Sequence, residues 1–179
     1  MLTTHLAMAN LLINPSFEDT IPMFGWTRFG AGPAPELAHV DAQEEENCVK
    51  MFQDFTGADN WTGLYQDTPV KSGAKYRLAG YLRNGLPDGQ DTLQDGNSAW
   101  MKVEWFDAND NMIYAKEFNE GENGLTPASE SGKWMLNDVQ ENAPENAVKA
   151  RIVLLHQYLG TGHNGGSSWF DNISFQQVP

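Results

Sequence analysis

Apolar residues in this chain recur at every second position, bounded by Gly, Asn, Asp and Pro, and no stretch sustains the three-to-four spacing of an amphipathic helix. The alternation predicts strands over 74–84, 98–107, 112–118, 134–141, 148–157 and 168–176. Shorter apolar runs predict weaker strands over 11–13, 36–40, 48–53 and 62–66. About ten short strands without a repeat or a linker point to an all-β chain, folded as a two-layer antiparallel β-sandwich. A single domain is expected over 1–179, with its core at about 10–176.

Because side chains alternate across a strand, parity sorts them. Ala99, Met101, Val103 and Trp105 form one apolar set, and so do Tyr76, Leu78 and Leu82, and Val148, Ala150, Ile152 and Leu154. Trp105, Tyr76, Phe170 and Phe175 are expected in the core. A second β-layer covers only one side of each sheet, which leaves Trp100, Tyr81, Arg83, Glu104 and Gln157 as candidates for one open polar and aromatic binding surface. Connections alternate between short turns (71–73, 107–111, 142–146) and long Gly-rich loops (85–97, 119–133, 159–167). Antiparallel strands should therefore gather the turns at one end of the sandwich and the loops at the other.

Composition narrows the partners. With 24 Asp+Glu against 11 Lys+Arg, the formal charge is −13, which disfavours a phosphate backbone and so nucleic acid as a partner. The lone Cys48 has no intrachain disulfide partner and reads as a small buried hydrophobe. The first thirteen residues show no signal-peptide pattern and no segment reaches bilayer length, so membrane insertion is not expected. Six Trp, five Tyr and nine Phe are ample to cover the C–H faces of sugar rings, while Arg, Gln and carboxylates can pair with their hydroxyls.

Two carboxylates stand beside terminal strand signals, Glu18 after Asn10-Leu-Leu-Ile-Asn-Pro-Ser-Phe and Asp171 within Trp169-Phe-Asp-Asn-Ile-Ser-Phe175. Hard oxygens at strand ends suit a calcium ion that fastens the termini, and Glu46 in Gln43-Glu-Glu-Glu-Asn47 is the third candidate ligand. Asp107-Ala-Asn-Asp-Asn111 begins like an EF-hand loop but has Met112 where Gly is needed and Phe118 where the bidentate Glu belongs, so it reads as a hairpin turn. His5, His39, His156 and His163 have no zinc spacing, and no serine–histidine pairing or local carboxylate pair marks a catalytic site.

The two terminal segments, together with Trp61-Thr-Gly-Leu-Tyr-Gln66 and the run from Val70 to Arg83, resemble carbohydrate-binding modules with a galactose-binding-like jelly roll, the kind often attached to xylanases and glucanases. The likeness spans about 10–175. It implies noncatalytic binding of a polysaccharide or oligosaccharide, a structural calcium held by the residues matching Glu18 and Asp171, an extracellular or cell-surface setting, and association with a glycoside hydrolase. The alternatives are a structural or protein-interaction jelly roll, as in adhesion or viral and cell-surface assembly, and a polysaccharide-degrading enzyme.

Overall fold

The computed structural model describes residues 9–53, 58–117, 124–160 and 165–179. Ten strands run in chain order: β1 (Thr27–Gly30), β2 (Glu36–Ala38), β3 (Cys48–Phe52), β4 (Asn60–Pro69), β5 (Lys75–Asn84), β6 (Asn97–Phe106), β7 (Met112–Glu117), β8 (Trp134–Asn142), β9 (Lys149–Tyr158) and β10 (Ser167–Val178). They form two five-stranded antiparallel sheets, ordered β1-β4-β9-β6-β7 and β2-β3-β10-β5-β8. The sandwich expected from alternation is therefore present, and no helix occurs among the described residues.

Alternation accounts for the core. Ala99, Met101, Val103 and Trp105 of β6 and Ala150, Ile152 and Leu154 of β9 are at most 1% exposed, and face Leu78, Leu82, Phe170 and Phe175 from the other sheet. Tyr76 stacks on Phe175 with centroids 5.1 Å apart, and Trp105 leans on both rings. Val148 departs from expectation: it lies just before β9 and is 45% exposed.

Two further differences concern short segments. Leu11 to Ile13 is not a strand, although its backbone is tied to β10: Leu11 N–H donates to the Phe175 carbonyl (2.8 Å). Asn10 completes the link, donating from Nδ2 to the Ile173 carbonyl (2.9 Å) and accepting from Phe175 N–H at Oδ1 (3.0 Å). Conversely β1, with only four residues and Gly at its end, has no alternation long enough to read.

The turns and loops segregate as expected. At one end Gly73 N–H donates to the Ala143 carbonyl and Ser72 Oγ to the Pro144 carbonyl. At the other, Gln94 N–H donates to Gly165, Gly132 N–H to Asn84, and Leu159 N–H to Gly96. Asp107 Oδ1 accepts from the amides of Asn109 and Asn111, which makes 107–111 the expected hairpin turn. His163 lies outside the described residues.

Candidate functional site

The predicted open surface is two surfaces. Trp100, Glu104 and Gln157 project from the outer face of the β1-β4-β9-β6-β7 sheet, whereas Tyr81 and Arg83 belong to β5 and project from the opposite side of the sandwich. Parity within each strand is as read, but assigning β5 to the other sheet needed the long-range pairing.

On its own side Arg83 is fully buried. Its guanidinium lies between Trp134 and Trp169, 4.6 and 4.8 Å from their ring centroids, and donates to the carbonyls of Asp41 (2.7 Å) and Val40 (3.4 Å). Burial pulls its pKa below the usual guanidinium value. Arg83 is thus a packed element of the sheet with its ring neighbours on both faces, and Tyr81 beside it is half-buried.

The other outer face is read in rows across β4, β9 and β6: Trp61–Gln157–Ser98, Gly63–Leu155–Trp100, Tyr65–Val153–Lys102, Asp67–Arg151–Glu104 and Pro69–Lys149–Phe106. Edge strand β1 adds Phe29 opposite Gly63. A Cβ on Gly63 would lie 2.4 Å from the Phe29 ring, so the absent side chain is what lets that ring lie on the sheet.

Trp100 occupies the outward position expected of it but is only 7% exposed, and Leu155 beside it only 8%. The expectation of an exposed Trp100 surface is therefore corrected: this indole packs with the hydrophobic cluster that includes Val153 and Leu155. An outward set that turns apolar halfway along β9 is the sequence sign of this covering. Gln157 is half-buried in the row beyond, next to Trp61, which is 47% exposed.

Between the covered row and the turn end lies an open depression of about 170 Å³, lined by Phe29, Tyr65, Val153, Lys102, Glu104 and Arg151. Of the sequence-predicted binding residues, Glu104 alone lines it. Lys102 Nζ pairs with Glu104 at 2.7 Å, both largely buried, so one flank offers a fixed donor and acceptor. The opposite flank is aromatic, with Phe29 and Tyr65 centroids 6.2 Å apart and tilted. Arg151 forms the end wall: its guanidinium lies 4.1 Å from the Tyr65 centroid and donates to both Asp67 carboxylate oxygens at 2.7 and 3.0 Å. Burial opposes ionisation of Asp67, but the bonds and charge of Arg151 and Lys149 outweigh it and hold the carboxyl below its usual range. Phe29 carried no sequence signal for this site, because β1 itself was not legible, and Tyr65 lies in the weakly signalled strand over 62–66, too irregular for parity to place its side chain.

The expected metal ligands lie on the other sheet's side. Glu18 Oε1 accepts the amides of Glu46 (3.0 Å) and Asn47 (2.6 Å), and Oε2 accepts the Asn47 side-chain amide. Asp171 Oδ2 accepts the amides of Gln43 and Glu44 (2.8 and 3.0 Å), and Oδ1 that of Asn172 (2.6 Å). Burial, reinforced by repulsion from Glu18, outweighs these bonds and pushes Asp171 up to about 6. Glu46 supplies a backbone N–H here while its residue is exposed, and no third His, Cys, Asp or Glu joins the pair to make a metal cluster among the described residues. The donor set nonetheless suits a hard cation: one oxygen of each carboxylate has a single donor, and Asn47 Oδ1 is buried without one.

No protein-family profile and no curated protein matches this sequence. Its fold is similar to that of the bacteriophage CBA120 tailspike protein 4 enzymatically active domain (TM-score 0.63, 13% identity), covering 94% of this chain and 21% of that one. The chain thus spans about a fifth of that structure's length. The carbohydrate-binding module TmCBM61, solved in complex with beta-1,4-galactotriose, is similar over 95% of this chain and 99% of its own, with TM-score 0.60 and 16% identity. The Stig cyclase Fisc from Fischerella sp. TAU is similar over 97% and 99%, with TM-score 0.58 and 16% identity. The chain has the jelly-roll fold of carbohydrate-binding modules.

Proposed function

We propose that this chain is a noncatalytic glycan-binding domain whose site is the depression between β4 and β6. The carrying observation is an aromatic flank, Phe29 and Tyr65, set across from the Lys102–Glu104 pair. Such a slot covers the C–H face of a sugar ring on one side and pairs with its hydroxyls on the other. The fold shared with a galactotriose-bound module supports the reading. Because a cyclase has the same fold, the site must carry the functional argument. Its lining favours binding over catalysis: the strongly perturbed acid–base groups His156, Cys48 and Asp171 lie buried away from this slot, the first between the sheets and the other two on the opposite sheet.

A glycan array with the intact chain, followed by calorimetry, tests the proposal. Tyr65→Ala and Glu104→Gln should each weaken a confirmed sugar about tenfold, near 1.4 kcal/mol, with the circular-dichroism spectrum unchanged. Sugar binding unaffected by both substitutions would remove the site.

We also propose a calcium ion at Glu18, Asp171 and Asn47 Oδ1. There it would supply positive charge between two carboxylates and a buried carbonyl oxygen, fastening the N-terminal segment to β10 rather than taking part in chemistry. Millimolar calcium should raise the melting temperature, and Asp171→Asn should reduce that rise; a melting curve indifferent to calcium argues against the ion. Placement outside the cell and association with a glycoside hydrolase remain parts of this proposal, resting on the fold resemblance.

A further inference from the structure

The depression is bounded along the strands as well as across them. Its floor is Val153, its flanks are the aromatic pair from β1 and β4 and the ion pair from β6. Toward the turn end Arg151 is held by two bonds to Asp67 and lies between the rings of Tyr65 and Phe106, 4.1 and 5.0 Å from their centroids. Behind it Lys149 lies 4.6 Å over the Phe106 ring and pairs with Asp110. Toward the loop end the next row is closed: Phe29 lies over Gly63, and Leu155 and Trp100 are 8% and 7% exposed. Trp61, the exposed indole on this face, stands beyond that closed row. The lining therefore spans two rows, that of Val153 and that of Arg151, about 7 Å apart along a strand.

The charges of the lining are also closed on themselves. Lys102 has Glu104 at 2.7 Å and Arg151 has Asp67 at 2.7 Å. A hydroxyl can insert by accepting from the cation and donating to the carboxylate. A sugar carboxylate would have to displace Glu104 or Asp67, or stand against them.

We infer that the slot takes the end of a neutral saccharide, one or two rings, and not an internal stretch of a chain laid along the sheet. The inference rests on the glycan-binding reading and limits its ligand.

The test is calorimetry on the intact chain with glucose, galactose, mannose and xylose, their neutral β-1,4-linked oligosaccharides of two to six units, and galacturonic acid with its oligomers. The neutral series should reach full affinity by the disaccharide, longer members gaining less than about threefold. Trp61→Ala should leave that affinity unchanged, while Glu104→Gln lowers it about tenfold for the disaccharide. A steady gain of about tenfold or more from disaccharide to tetrasaccharide, lost in Trp61→Ala, overturns the inference alone and establishes a groove along the sheet. Preference for the galacturonate series overturns the neutral assignment. No binding by any of these sugars overturns the glycan-binding reading and this inference with it.

Discussion

Trp100 and Arg83 both alternate outward from their strands, and both are buried. Trp100→Ala is expected to lower unfolding free energy by about 3 kcal/mol or more, as large-to-small changes at buried aromatic sites do. Urea denaturation measures it, and a change under about 1 kcal/mol would place the indole back among exposed groups. Two buried titrating residues set an opposed pH dependence. His156, its Nδ1 2.8 Å from Ser168 Oγ and its Nε2 3.1 Å from Asn97 Oδ1, is pushed down to about 3 by burial. Only the unfolded chain protonates it between about pH 6.5 and 3, so its contribution is full above that window and lost as pH falls. Asp171, raised to about 6, acts in reverse: its contribution is full below the ordinary carboxylate value and lost as pH rises through 6. In calcium-free buffer, Asp171→Asn should therefore steepen the acid loss of stability between pH 6 and 4. His156→Gln should flatten or invert it, each within about 1.4 kcal/mol per pH unit; melts parallel to wild type across that range would refute the assignment.

At the scale of elements, short segments held by tertiary contacts decide the binding slot. β1 is four residues long, yet it delivers Phe29 to one flank because Gly63 leaves room for the ring. Gly63→Ala would set a Cβ 2.4 Å from both the Phe29 ring and the Leu154 carbonyl, so the ring and the β4–β9 pairing must both give, costing about 1–3 kcal/mol through overpacking. Phe29→Ala, which leaves the backbone alone, should weaken sugar binding more than Trp61→Ala does, and normal affinity in that variant would show that Phe29 is not a wall of the site. The N-terminal segment behaves similarly. Its apolar run reads as a strand, but the chain bends there. Asn10 meets β10 at an irregular stretch between Asp171 and Ser174, where Asn172 has a positive φ of 48°. Period-two reading succeeds over the ten-residue strands β5, β6 and β9 because each has one face sealed by the facing sheet. It fails for β1, whose four residues hold too little alternation.

Across the two sheets together, local signals along the chain were enough for the class of fold. Alternation along the long strands, turn chemistry at 107–111 and the order of short and long connections specify a two-layer sandwich with its loops at one end, because these signals arise within a few residues of the chain. The sequence marked Glu18 and Asp171 as carboxylates beside strand signals at the two ends of the chain; that both accept amides of the loop over 43–47 came from the tertiary structure. Tertiary structure alone decided which outward residues share a face. β5 and β6 are consecutive in sequence but cross between sheets, which parts Tyr81 and Arg83 from Glu104. Parity says that a side chain points away from its own sheet's core, and carries no information about which sheet that is or what then covers it. For that reason the slot of Phe29, Tyr65, Lys102, Glu104 and Arg151 exists only where β1, β4, β9 and β6 lie side by side.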